Sequence, residues 1–149
     1  MGAWGTKYNQ SDDHYNFSHM VLEAGIEKLS SSMNNMENGH YADGDGDFGE
    51  PMEEFIAQIG RAMLITMVKA LKGSELGSIS PSGFKILERS RERVLQAAER
   101  TKDNWVDPQE YMESVNAEMD EVDEYLDEFR TGSVGSMTAR LADIMKEMG

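Results

Sequence analysis

Apolar side chains recur at helical spacing through most of the chain, and strand-period alternation of useful length appears nowhere. From about residue 12 to 32, Phe17, Val21, Leu22, Ile26 and Leu29 share a face. The entry through Ser11, Asp12 and Asp13 offers an N-cap with negative charge at the positive end of the helix dipole. That helix dissolves into Asn34, Asn35, Asn38 and Gly39. Glu50 and Pro51 are then expected to open a second helix, with proline at the first helical position, where its missing N–H costs nothing. Phe55, Ile56, Ile59, Met63, Leu64, Met67, Val68 and Leu71 form a face wider than one stripe, interrupted in charge only by Arg61, Lys69 and Lys72. A helix this apolar is usually central to a fold. Gly73 and Gly77 stop it.

A Ser-rich connection through Pro81 leads to a third helix over about 82–102, with Phe84, Leu87, Val94, Leu95 and Ala98 inward. Its outer face is basic: Lys85, Arg89, Arg91, Arg93, Arg100 and Lys102 stand against Glu88, Glu92 and Glu99. Asp107 and Pro108 start the fourth helix, where Met112, Val115, Met119, Val122, Leu126 and Phe129 repeat as a heptad seam. Gly132 and Gly135 break it, and an amphipathic segment over about 136–148 carries Met137, Leu141, Ile144, Met145 and Met148. The pattern predicts an all-α single domain over 1–149, with four main helices plus a short C-terminal helix. Residues 1–11 form a lead-in whose Trp4 packs against the bundle, and residues 34–50 form an acidic, Gly-rich loop. No internal repeat is visible.

Composition narrows the partners. The 149 residues include 28 acids against 14 Lys and Arg, a net charge of −14. Nucleic-acid backbone and anionic membrane would both repel such a chain. No apolar run approaches the roughly 18 residues needed to span a bilayer, and the N-terminus lacks the charged and apolar regions of a secretory signal. Zero cysteine removes disulfides, thiolate zinc sites and Cys nucleophiles together. A cytoplasmic location is expected, or a virion if the chain is an assembly component. Twelve methionines suit an irregular core or adaptable contacts. Met1, Gly2 and Thr6 match the N-myristoylation pattern, with no second membrane signal beside them.

Three groups of residues carry candidate chemistry. Asp43, Asp45 and Asp47, with Glu54 further on, resemble the ligand spacing of an EF-hand loop and would take calcium or magnesium. Phe48 stands where the sharp turn wants glycine, so such a site would be weak, and a solvated acidic loop is the plainer expectation. His14, His19 and His40 have no metal-binding spacing and suit surface or capping roles. No phosphate cradle, dinucleotide fingerprint or nucleophile elbow occurs, and no carboxylate pair singles itself out for acid–base work. The fourth helix holds ten acids between Asp107 and Phe129 and no Lys or Arg. At 1.5 Å rise that is about one charge per 3.4 Å, near the density of one DNA strand.

The opening MGAWGT followed by Asp12 and Asp13 resembles an uncharacterised bacterial family of small helical proteins. Its members begin Gly-x-Trp-Gly and reach an Asp-Asp helix start at the same distance. The stretch ILERSRERVL and the segment around Trp105 are similar as well, whereas Lys7, Tyr8 and the Asp-Gly loop depart from the pattern. The resemblance implies a small helical domain and no activity.

The expected function is a non-enzymatic acidic interaction protein that binds and masks or inhibits a basic protein partner, of immunity or counter-defence type and nucleic-acid mimicking. Glu110, Glu113, Asp120, Glu121, Glu124, Asp127 and Glu128 would form the contact surface. The alternative is a structural subunit of a virion or other homo-oligomer, packing through the wide face of the second helix and the seam of the fourth. A weak divalent-cation-binding protein is a second alternative.

Overall fold

Four helices form among the residues described by the structure, a computed structural model: 12–74 and 79–131, with side chains over 18–74 and 79–128. Helix α1 is Asp12–Glu37. Helix α2 runs from 53 to 73 as a first turn Glu53–Phe55, a π-helical turn Ile56–Gly60 and the α-helical stretch Arg61–Gly73. Helix α3 is Pro81–Thr101, followed by a 3₁₀ turn at Lys102–Asn104, and α4 is Pro108–Thr131. No strand occurs among the described residues, and the all-α expectation holds. The lead-in with Trp4, Ser11 as a cap, Gly77, and the segment over 136–148 lie outside the described residues.

Side-chain pairs set the directions. Gly25 faces Met67 and Gly60 faces Met33, so α1 and α2 run antiparallel. Glu53 pairs with Arg100, and Gly60 also faces Val94, so α2 and α3 do too. Arg91 on α3 reaches Asp123 while the last turn of α3 lies by Met112, which continues the alternation. Helices α2 and α3 each pack on all the others, whereas the described parts of α1 and α4 lie across the diagonal with no close backbone approach.

The core follows from helical phase. Ile26, Leu29, Met33 and Met36 of α1 are buried, with Leu64, Met67, Val68 and Leu71 of α2, Leu87, Val94 and Ala98 of α3, and Val115, Met119, Val122 and Leu126 of α4. Each fully buried Leu, Ile, Val or Met contributes roughly 1.5–3 kcal/mol by leaving water. Val21 is a correction, since it is 70% exposed. It lies about 80° from the face that Leu22, Ile26 and Leu29 share, at 100° per residue. In α4 it is Tyr111, 7% exposed, that begins the buried seam, and Met112 is only half-buried. Phe129's side chain lies outside the described residues.

Two helix boundaries also differ from expectation. Helix α1 continues past Ser32 to Glu37 because Met33 and Met36 extend the apolar stripe. The asparagines read as terminators instead serve as ties: Asn35 Nδ2 donates to the Ala42 carbonyl, and Asn34 Oδ1 accepts from Arg93. Pro51 sits before α2, which begins at Glu53 without a side-chain cap. The helix-opening prolines are Pro81 and Pro108. Ser80 caps α3 through the Gly83 N–H, and Asp107 Oδ1 accepts from the Glu110 N–H at 3.0 Å.

Candidate functional site

Helix α4 separates its ten acids by angle. At 100° per residue, the buried positions 111, 115, 119, 122 and 126 occupy an arc of about 80°. Glu118 and Asp123 fall on either side of that arc, and each is claimed by an arginine from a neighbouring helix. Arg61 of α2 grips Glu118 with both Nε and Nη2 at 2.8 Å, the bidentate geometry that makes such pairs strong. This grip holds the Arg61 guanidinium above its ordinary pKa. Arg91 of α3 reaches Asp123 at 2.9 Å. Asp107 is spent as the helix cap.

The other seven acids, Glu110, Glu113, Asp120, Glu121, Glu124, Asp127 and Glu128, fall within about 120° centred opposite the buried arc. All seven are exposed. Gln109 donates to Glu113 along the helix, and Asp120, Glu121 and Glu124 form no ion pair among the described residues. From Glu110 to Glu128 the spacing averages about one carboxylate per 4 Å of helix. The side chains named from the sequence therefore share one solvent-facing strip.

Most of the ion-paired basic residues read on the third helix are directed away from that strip. Arg93 pairs with Glu37 of α1 at 3.0 Å and Arg100 with Glu53 of α2 at 2.6 Å, while Lys102, in the turn after α3, pairs back with Glu99. Burial outweighs the Glu37 carboxylate at Arg93 and pushes its guanidinium below the usual value. Only Arg91 crosses from α3 to α4 among the described ion pairs. The arginines act as ties between helices, a role that net charge along one helix cannot reveal.

At the start of α4, Tyr111 stacks on Trp105 with centroids 4.5 Å apart and planes 13° from parallel, and the Arg61 guanidinium stands 5.8 Å from the Tyr111 ring. The Tyr111 hydroxyl is buried without a hydrogen bond of good geometry. Thr101, already donating to Ala97, and Trp105 lie near enough to ease its ionisation slightly, but burial prevails and raises its pKa.

The candidate cation loop is a built turn. Tyr41 donates to Asp45, Phe48 to Gly39 and Met52 to Met36 through backbone N–H groups. Asp43 and Asp47 turn their carboxylates onto the Asp45 and Gly49 N–H groups, and His40 Nδ1 meets the Gly46 carbonyl. Gly39, Gly44, Gly46 and Gly49 all take positive φ. Among the described residues, no group of three or more His, Asp or Glu side chains is placed to hold a metal ion, so Asp43, Asp45, Asp47 and Glu54 are not brought together. His19 lies 3.9 Å from Glu23, and His14's side chain lies outside the described residues.

Sequence reasoning missed Glu23. Its carboxylate accepts from the Ser80 N–H at 2.7 Å and the Ser80 hydroxyl at 2.9 Å, fastening α1 to the start of α3. An isolated Glu on a predicted helix gives no signal of a partner 57 positions away. Comparison of the chain with protein-family models, with curated proteins and with solved structures finds no match, so its own geometry is what bears on function.

Proposed function

We propose that the protein is a non-enzymatic interaction protein whose acidic α4 strip binds and masks a basic protein partner, in the manner of an immunity or counter-defence inhibitor. The carrying observation is the division of labour on α4. Three acids are engaged in holding or capping the helix, and the other seven are all exposed on one strip. Like charges at i and i+4, such as Asp120 with Glu124 and Glu124 with Glu128, cost helix stability by about 0.2–0.5 kcal/mol each. A helix that keeps them is better explained by a partner than by folding. The spacing of the strip, close to that of backbone phosphates, favours a partner whose basic groove ordinarily holds nucleic acid.

The assembly reading would need the wide face of α2 and the seam of α4 for contacts between copies. Within one chain Leu64, Met67, Val68 and Leu71 are already buried, as are Val115, Met119, Val122 and Leu126. This favours the basic-partner reading. Affinity capture from the native host with the wild-type chain and with Asp120, Glu121 and Glu124 all changed to Lys is the deciding experiment. A basic protein retained by the first and lost by the second supports the proposal, and equal retention refutes it.

A further inference from the structure

Exposed apolar side chains cluster at one end of the bundle. Tyr41 (40% exposed) and Phe48 (49%) belong to the connection between α1 and α2, and Trp105 (43%) and Val106 (fully exposed) to that between α3 and α4. Both connections close the same end, since Arg100 at the end of α3 pairs with Glu53 at the start of α2. Tyr41 meets Phe55 edge-on at 5.5 Å, and Trp105 is stacked on Tyr111. The other exposed large apolar residues among those described, Met20 and Val21, lie toward the opposite end of α1.

Carboxylates neighbour these rings along both connections. Asp43, Asp45, Asp47 and Glu50 on the first connection, and Asp103 and Asp107 on the second, are all exposed. No Lys or Arg occurs between Leu29 and Gly60. The first connection is held by its own backbone hydrogen bonds, so its rings and carboxylates stand on a fixed frame. An aromatic face with a carboxylate beside it fits a guanidinium, which stacks flat on the ring while its edge N–H groups bond the carboxylate. An ammonium of equal charge obtains only the electrostatic part.

Resting on the basic-partner reading above, we propose that this end of the bundle is the docking point for an arginine-bearing segment of the basic partner. Phe48 and Trp105 serve as stacking platforms, and Asp43, Asp47 and Asp103 as the paired carboxylates. Aromatic anchors of this kind carry most of the energy of an interface, with surrounding charges setting its approach.

Labelled nona-arginine and nona-lysine, titrated into the full chain and followed by fluorescence polarisation, test the proposal. Nona-arginine is expected to bind about three- to tenfold more tightly at equal charge. Phe48→Ala and Trp105→Ala should each reduce that preference, weakening nona-arginine more than nona-lysine. Trp105→Phe keeps a ring against Tyr111 and should retain most of it, which guards against an unfolded alanine variant. Changing Asp120, Glu121 and Glu124 to Lys should weaken both peptides and leave the preference intact. Equal affinity for the two peptides, or a preference that survives loss of both rings, overturns the docking point. Self-association of the wild type that Phe48→Ala abolishes would place a second copy there and also overturn it. A persistent preference in a chain whose native capture ignores the α4 triple change would sink the α4 strip and leave this site standing.

Discussion

At Gly39 the chain leaves α1 with φ 85°, and a Cβ there would meet the Glu50 backbone oxygen at 2.9 Å. Neither problem can be relieved by turning a side chain, because the obstacle is backbone. Gly39→Ala is expected to lower stability by about 2–3 kcal/mol, read as a fall of several degrees in thermal midpoint. Gly60 makes the useful contrast. Its missing Cβ leaves room for Met33 Sδ at 2.7 Å, but a thioether can swing aside, so Gly60→Ala should cost much less. The tyrosines carry the alkaline response. Burial raises the pKa of Tyr111 against the opposing Arg61 cation, and burial with the Glu128 carboxylate raises that of Tyr125. A phenol whose folded pKa is raised stays protonated when the unfolded chain would already have lost its proton. Stability from these two groups is therefore intact below pH about 10 and is lost as pH climbs through the folded values. Phenolate absorbance should show two tyrosines ionising late, and Tyr111→Phe and Tyr125→Phe should each remove one of those steps.

The elements of the fold were readable in unequal measure. Helices announced by period and cap were plain: α3 and α4 begin within a residue of expectation because Ser80 with Pro81, and Asp107 with Pro108, act locally. The end of α1 and the π turn at Ile56–Gly60 were not, because both are decided by contacts between helices. On α4 the seven exposed acids could be named from phase alone, whereas the arginines that neutralise Glu118 and Asp123 come from 57 and 32 positions away. Arg61→Lys should therefore fail to replace arginine, since an ammonium cannot grip both oxygens of Glu118, with a loss of about 1 kcal/mol in denaturant unfolding. Changing Asp120, Glu121 and Glu124 to Lys should have the opposite sign for folding. It relieves repulsion along the strip and leaves or slightly raises the thermal midpoint, while partner capture falls. The loop over 38–52 is legible only as composition. Asp and Gly in alternation read as coil, yet four positive-φ glycines and a set of backbone hydrogen bonds make a fixed turn. With no three of the loop's carboxylates converging on one point among the described residues, millimolar calcium is expected to give no calorimetric heat and no change in thermal midpoint. A clear shift of either would show that the loop reorganises around the ion.

Across the whole molecule, a net charge of −14 with an exposed acidic strip should, on the proposed reading, make association with a basic partner fast and strongly dependent on salt. The slope of the association rate against ionic strength should flatten in the α4 triple variant. With the seam of α4 buried inside one chain, light scattering at micromolar concentration is expected to report a monomer, and a defined large oligomer would restore the assembly reading. The diagonal placement of α1 and α4 also bears on how the bundle opens. The described parts of the two outer helices make no close backbone approach to each other, so α4 is expected to detach as a cooperative unit while α1, α2 and α3 keep their shared contacts. Amide hydrogen exchange should reveal that hierarchy, with α3 protected to the full free energy of unfolding and α4 exchanging through an earlier, partial opening. The helix proposed to offer its charge to a partner would then also be the one held least firmly without it. Saturation with the basic protein should slow exchange along α4 ahead of every other element.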